Sequence, residues 1–253
     1  MQILPTIVKK KLFAAITLLI ITTTAALSFT AIGKSNAPTN SSSKSKIVPE
    51  RSGLEHLAYC IYQELCLSGI EINEELFGMA FKGFTKLSAG GRLNTDSILT
   101  IIDFSRSSKE KRMFVIDLKE KKLLFNTVVA HGRNTGEEYA RSFSNTMNSH
   151  QSSLGFYVTM SPYNGSNGYS LALDGIEKGI NDNAFSRAIV MHGAEYANES
   201  MINIKGYLGR SFGCPALPTG VNKKVIDKIK EGSCIFIYYP DKEYLSKSEI
   251  LNG

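Results

Sequence analysis

The sequence contains few of the residues from which disulfide frameworks and metal centres are built. Its 253 residues include four cysteines and four histidines, far below the cysteine density of disulfide-stabilised exported domains. Cys60 and Cys66 fall on different faces of a predicted helix, about 9 Å apart along its axis, so they cannot bond to each other. With Cys234, they are interpreted as small buried hydrophobic residues. The histidines show no His-Glu-x-x-His or similar spacing, which argues against a metallopeptidase.

Two further classes of protein lack their signatures. Basic and aromatic residues are not interleaved and no zinc-finger spacing occurs, so nucleic acid is not the expected partner despite the net charge of +6. Ser-x-x-Lys occurs without Ser-Asp-Asn or Lys-Thr-Gly, so a penicillin-binding serine enzyme is not supported. The positive charge suits a membrane surface or an acidic polymer such as cell wall.

One long hydrophobic run lies near the N-terminus. Three lysines at 9–11 precede an apolar stretch from 12 to 32, the order found in a secretory signal. We favour a cleaved signal over residues 1–33. The stretch is also long enough for an N-terminal membrane anchor, so a membrane tether through residues 12–32 stays open. Both interpretations predict export to the periplasm or cell envelope.

The rest of the chain changes character along its length. Residues 34–50 are polar and Ser-rich, which predicts a linker. Residues 51–93 carry two apolar stripes at helical period, which predict a helical segment packing on the next domain. Asn73 is the predicted N-cap of the second helix. Short β-branched runs then predict a mostly-β domain over 94–242, followed by a C-terminal tail at 243–253.

Seven strands are predicted, at 98–104, 112–118, 123–130, 154–160, 169–174, 187–192 and 234–239. One helix, capped by Thr219 and stopped by Gly232, precedes the last of them. The predicted class is α+β overall: mostly β, with an N-terminal helical segment and one helix after Cys214. Long Gly- and Asn-rich segments between strands are where a functional site would be built.

Two polar side chains stand at distinctive places. His192 ends an apolar run and is followed by Gly193, so its ring would project from a rigid strand. Cys214 lies between Gly213, which permits positive φ, and Pro215, which favours extended geometry. Such a turn can expose the sulfur and aim N–H groups at one point. Acyl transfer by a thiol needs these parts: a nucleophile, a base and oxyanion donors.

These residues belong to a set of motifs that resembles a known family. His-Gly followed by Ser-x-Gly-Cys resembles the catalytic signature of the YkuD-like L,D-transpeptidases. The wider set is similar to the branch described as the murein L,D-transpeptidase catalytic domain family and extends over residues 55–240. Its motifs are VAHGRN (129–134), SSLGFYVT (152–159), GYSLALDG (168–175), NDNA (181–184), MHGAEY (191–196) and GRSFGCPALP (209–218).

The resemblance implies a YkuD-type β-sandwich or barrel-like catalytic domain that acts on peptidoglycan stem peptides. Cys214 would attack the L-centre–D-alanine bond of a stem tetrapeptide, D-alanine would leave, and an amine would resolve the thioester. His192 would be the base, with a backbone carbonyl near Ser211 orienting its ring. The N–H groups of Gly213 and Cys214 would form the oxyanion hole. The resemblance implies no metal or other cofactor, and we expect a monomer.

The sequence departs from the family pattern beside Cys214. Positions that often hold His before the Gly-Cys pair and Arg two places after it are occupied by Phe212 and Ala216. Three arginines could supply the missing charge: Arg133, Arg187 and Arg210. Further candidate substrate contacts are Gly193, His131, Phe212 and Tyr169.

Other functions and roles use the same residues. If water resolves the thioester, the protein is an L,D-carboxypeptidase or endopeptidase. The missing arginine also leaves open a non-catalytic wall-binding module, although the presence of both Cys214 and His192 speaks against it. His131 either lines the substrate site or is a polar loop residue. Asp174 either orients a site histidine or, as the plainer interpretation, occupies a turn before Gly175.

Overall fold

The structure, a computed structural model, describes residues 52–67 and 69–253. The predicted signal or anchor and the predicted linker lie outside the described residues. Within the described ranges, no helix is both long and apolar enough to cross a membrane.

The helices are α1 (Gly53–Leu67), α2 (Glu74–Ala89), α3 (Ser200–Lys205), α4 (Asn222–Ile229), α5 (Lys242–Lys247) and α6 (Glu249–Asn252), with a 3₁₀ turn at Glu195–Ala197. The strands are β1 (Ile98–Asp103), β2 (Met113–Asp117), β3 (Lys122–Thr127), β4 (Gly155–Gly165), β5 (Gly168–Gly175), β6 (Val190–Gly193), β7 (Ala216–Leu217) and β8 (Cys234–Tyr238).

The eight strands form one mixed sheet in the order β3-β2-β1-β8-β4-β5-β6-β7. The pairs β1–β8 and β6–β7 are parallel, and the other neighbours are antiparallel. Beyond β3, the Ala130 N–H donates to the Ala216 carbonyl at 2.8 Å, and the Ala216 N–H donates to the Ala130 carbonyl at 3.3 Å. This bridge joins the two outer edges of the sheet, which gives it a barrel-like form. The predicted class, mostly β with N-terminal helices and a helix after Cys214, is confirmed.

Helix α2 packs against β1 and β8 through an apolar face at helical spacing. Asn73 caps it as predicted, because its side-chain oxygen accepts the Leu76 N–H at 2.9 Å. Gly83 allows close approach to the sheet: a Cβ there would lie 2.1 Å from the Phe156 ring of β4. The helix thus covers the strands that carry the centre of the core.

Helix α1 is less buried than its apolar stripe predicts. Leu54 and Leu57 are 37% and 51% exposed, although the same stripe buries three other side chains. Cys60 and Cys66 are half-buried rather than buried, and both are free thiols. The outer turns of α1 therefore contribute little to the core.

Two predictions near the site are wrong. Thr219 does not cap α4, because its N–H and hydroxyl both donate to the Asn198 side-chain oxygen, at 2.9 and 3.3 Å. The strand predicted from Arg187 begins only at Val190, since Ala188 has a left-handed φ of 53°. The chain therefore turns sharply before entering β6.

Residues 243–253 are not a tail, because they form α5 and α6. Three of their apolar side chains are buried: Tyr244, Ile250 and Leu251. The buried Glu177 carboxylate accepts hydrogen bonds from the Tyr244 hydroxyl at 3.3 Å and from the Ser248 hydroxyl. These contacts attach the C-terminal helices to the sheet.

Candidate active site

Three segments of chain converge beside the candidate nucleophile: residues 131–134, 149–152 and 211–214. The Ser211 N–H donates to the His131 carbonyl at 3.0 Å, and the Arg133 N–H donates to the Ser211 carbonyl at 2.8 Å. The Asn134 N–H donates to the His150 carbonyl at 3.2 Å. The loop that carries the nucleophile is therefore braced by its neighbours rather than free in solvent.

Ser152 connects all three segments. Its buried hydroxyl accepts the Gly132 N–H at 3.1 Å and donates to the Gly213 carbonyl at 3.0 Å. Its own N–H donates to the Thr135 hydroxyl at 2.8 Å. The sequence analysis missed this role, since spacing alone does not distinguish Ser152 from Ser153.

The thiol of Cys214 lies half-buried against the start of β6, and it is free. Its Sγ accepts the Val190 N–H at 3.4 Å and donates to the Ala188 carbonyl at 3.7 Å. Burial raises the pKa of the Cys214 thiol, and the Val190 N–H and the Arg187 charge act against that rise. The resting group is therefore a thiol, which needs a base to become a nucleophile.

His192 lies on the strand next to Cys214. The parallel register of β6 and β7 pairs it with Ala216, just after the nucleophile. Its Nδ1 is 3.0 Å from the Gly193 carbonyl; because a carbonyl only accepts, Nδ1 carries the proton and Nε2 holds the free lone pair. Burial lowers the pKa of His192 below 6.5. The ring is therefore an unprotonated base at neutral pH.

Ser211 and Gly213 differ from their predicted roles. The Ser211 hydroxyl accepts the Gly213 N–H at 3.0 Å and donates to the Cys214 carbonyl at 2.6 Å. The Gly213 N–H is thus engaged within the turn and is not a free oxyanion donor. The carbonyl that orients His192 belongs to Gly193 and not to a residue near Ser211. Ser211 instead fixes the shape of the turn that presents the thiol.

Gly213 offers a test of that turn. Its φ is 124°, and an added Cβ would lie 2.8 Å from the Gln151 carbonyl oxygen. We expect Gly213→Ala to lower the free energy of unfolding by about 1–3 kcal/mol and to slow turnover at Cys214 by displacing its sulfur. Denaturant unfolding and the turnover rate check this. Gly206→Ala is the control, since Gly206 has φ 83° but no atom within 4 Å of its Cβ position; equal loss of turnover in both variants would contradict the interpretation.

Arg187 organises the loop before β4. Its guanidinium makes four hydrogen bonds of 2.6–3.1 Å, to the carbonyls of Ser144 and Gln151 and the hydroxyls of Ser149 and Ser153. Its charge also reaches Cys214, where it opposes the rise in the thiol pKa. Arg187 therefore positions this loop through its four hydrogen bonds, and its predicted contact with substrate stays a prediction.

His131 is buried, with 1% of its surface exposed. Arg112 donates to its Nδ1 at 2.8 Å, and its Nε2 donates to the Gly136 carbonyl at 3.3 Å. Burial, together with the Arg112 charge, lowers the pKa of His131 to about 3. His131 thus supports the wall of the site from inside and does not line a surface open to substrate.

Three further polar side chains considered for the site, Tyr169, Arg210 and Asp174, are paired within the protein. The Tyr169 hydroxyl donates to Asp227 at 2.7 Å, and the Arg210 guanidinium donates to two loop carbonyls at 3.1 and 3.3 Å. Asp174 lies within β5 and faces Arg92 at 3.7 Å, so it does not orient a site histidine. In the part of the chain that the structure describes, no cluster of three His, Cys, Asp or Glu side chains could hold a metal ion.

Tyr196 is a site residue that the sequence analysis missed. Its ring meets the His192 imidazole edge-on, with ring centroids 6.4 Å apart at 77°. Burial raises the pKa of the Tyr196 hydroxyl, which therefore keeps its proton. Tyr196 stands within the 191–196 motif, but a single tyrosine gives no sign in sequence that it approaches Cys214.

Comparison with known proteins identifies the family. The family profile described as L,D-transpeptidase catalytic domain matches residues 69–238. Because the match covers more than half of the chain, this protein belongs to the L,D-transpeptidase catalytic domain family. No curated protein matches the sequence.

Solved structures of L,D-transpeptidases are also similar to this chain. One from Mycobacterium smegmatis has 11% identity and a TM-score of 0.37, covering 56% of this chain and 59% of its own. One from Stackebrandtia nassauensis has 13% identity and a TM-score of 0.36, covering 75% and 90%. L,D-transpeptidase 3 from Mycobacterium tuberculosis has 14% identity and a TM-score of 0.34, covering 56% and 61%. The chain thus spans less than two thirds of the mycobacterial structures.

Proposed function

We propose that this protein is a peptidoglycan L,D-transpeptidase of the cell envelope that uses Cys214 as its nucleophile. The observation that carries the proposal is the placement of a half-buried thiol just before β7 and of a neutral imidazole on β6, the strand that pairs with β7. The thiol ends a braced loop, and the imidazole has its Nε2 free because Nδ1 donates to the Gly193 carbonyl. This is the arrangement that a thiol acyl transfer requires.

The reaction begins with transfer of the Sγ proton to Nε2 of His192. In the resting structure Sγ bonds to Val190 and Ala188 instead, so the two side chains approach each other, or a water relays the proton, when substrate binds. The thiolate attacks the carbonyl carbon of the L-centre–D-alanine bond. The C–N bond breaks, D-alanine leaves with the proton from His192, and a thioester remains on Cys214. An acceptor amine then attacks the thioester and restores the thiol.

The tetrahedral intermediate carries an oxyanion that needs hydrogen-bond donors. Because Ser211 engages the Gly213 N–H, we assign this role to the Cys214 N–H and the Tyr196 hydroxyl. The raised pKa of Tyr196 keeps its hydroxyl protonated at neutral pH, so it can donate. This assignment keeps the Cys214 N–H expected from the sequence and replaces the Gly213 N–H by the Tyr196 hydroxyl.

The choice between amine and water as acceptor separates a transpeptidase from an L,D-carboxypeptidase. Incubation with disaccharide tetrapeptides, followed by mass spectrometry of the products, distinguishes them. We expect free D-alanine together with cross-linked dimers. D-Alanine without dimers would identify the hydrolase, and no D-alanine from the wild type would favour a non-catalytic wall-binding module.

A further inference from the structure

A cluster of three exposed or half-buried side chains, Arg133, Phe212 and His150, lies beside the nucleophile and has no role in the steps above. Phe212, two positions before Cys214, is 64% exposed. The His150 ring packs against it with centroids 4.5 Å apart, and the Arg133 guanidinium carbon lies 5.2 Å from its centroid. We call this cluster the recognition face, since it combines an apolar ring with a cation.

The recognition face is held by the backbone beneath it. The Arg133 N–H is bonded to the Ser211 carbonyl at 2.8 Å, and the His150 carbonyl accepts the Asn134 N–H at 3.2 Å. His150 also has a left-handed φ of 54°, a conformation that is unfavourable for a non-glycine residue. Such a conformation persists only where the surroundings enforce it. The packing of His150 on Phe212 is therefore built into the fold.

Arg133 differs from the other arginines near the thiol in having its donors free. Arg187 makes four hydrogen bonds to the loop before β4, and Arg210 donates to two carbonyls. The Arg133 side chain is exposed and, among the described residues, has neither a hydrogen bond nor an ion pair. An open guanidinium held on an aromatic ring matches a planar anion, and a carboxylate binds it through two parallel hydrogen bonds.

We propose that the recognition face binds a free carboxylate of the donor stem peptide, with Arg133 as the cation and Phe212 packing on the adjacent apolar group. The inference rests on the proposed function, because it concerns the substrate of the same thiol. Two carboxylates of a stem peptide could fill the face: the terminal carboxylate of the leaving residue, and a side-chain carboxylate further back. Their chemistry is the same, so the experiment must separate them.

The test compares the wild type with Arg133→Gln on three tetrapeptides: the free acid, the terminal carboxamide and the side-chain carboxamide. We expect Arg133→Gln to lower kcat/KM on the free acid by about 10- to 100-fold and to leave it unchanged on whichever amide lacks the bound carboxylate. The amide on which Arg133→Gln has no effect lacks the carboxylate that Arg133 binds, and so shows which of the two carboxylates that is. Arg92→Gln is the matched control, since it removes the same charge from an exposed arginine that faces Asp174, and it should keep the wild-type preference for the acid.

Binding to the Cys214→Ala variant separates this inference from the proposed reaction. Calorimetry should give a Kd for the free acid that weakens about 10-fold or more when Arg133→Gln is added. If the wild type released no D-alanine yet binding still depended on Arg133, the proposed function would fail and the recognition face would stand. The inference about the recognition face would be overturned if Arg133→Gln kept the wild-type preference for the free acid over both amides, in kcat/KM and in Kd.

Discussion

Cys214→Ala is expected to lose at least about 1,000-fold of the rate of D-alanine release from a stem tetrapeptide. The substitution removes the sulfur that forms the thioester and leaves the oxyanion donors and the base in place. Since Cys214 is only half-buried and loses a single atom, the free energy of unfolding should change by less than about 1 kcal/mol. Release of D-alanine and thermal unfolding, measured on the same preparation, check both statements.

Cys60→Ala is the matched control for this variant. Cys60 is also a free, half-buried thiol, but it lies on α1 and contacts His56 at 3.6 Å. Its replacement should leave the rate of release unchanged. Wild-type rates in Cys214→Ala, or an equal loss in both variants, would sink the assignment of the nucleophile.

His192→Gln is expected to lower kcat by about 100- to 10,000-fold, because the thiol loses the base that takes its proton. Glutamine keeps a polar side chain of similar length but has no lone pair that protonates near neutral pH. Steady-state rates over a range of pH measure the loss. A wild-type rate at neutral pH in His192→Gln would show that the imidazole only fills space and does not act as a base.

The pH dependence of the rate tests whether His192 acts as the base. Burial lowers the pKa of His192 below 6.5, so the wild-type rate should fall only as pH drops through that lower value and the imidazole becomes protonated. In His192→Gln this acid limb should vanish. The rate should instead rise with pH toward the raised pKa of the Cys214 thiol, because only the thiolate then reacts. An identical acid limb in both proteins would contradict the role of His192.

Much of the fold could be predicted because its signals are local. The apolar period of α2 and the cap at Asn73 act within one helix, and the nearly continuous apolar runs of β1 and β2 reflect strands buried on both faces. The neighbourhood of His192 and the segment after Cys214 follows the same logic, since Gly193 and Gly213 stand beside these residues in sequence and β6 pairs with β7. These inferences need only the neighbours of each residue along the chain.

The details of the site depend on backbone conformations and side-chain contacts that residue spacing does not encode. Ser211 captures the Gly213 N–H through the conformation of one hydroxyl, which no spacing predicts. His131 is buried because Arg112, far from it in sequence, donates to its ring. Ala188 adopts a left-handed conformation without being glycine, so the late start of β6 had no sequence signal.

Intact-protein mass spectrometry of rapidly quenched reactions tests the central claim most directly. On mixing with a stem tetrapeptide, the wild type should gain the mass of the acyl group that remains after loss of D-alanine, and proteolytic mapping should find that group on Cys214. Slowing the acceptor step by omitting the amine should increase the amount of this adduct. Release of D-alanine with no adduct on Cys214 under these conditions, or an adduct on a different residue, would contradict the account.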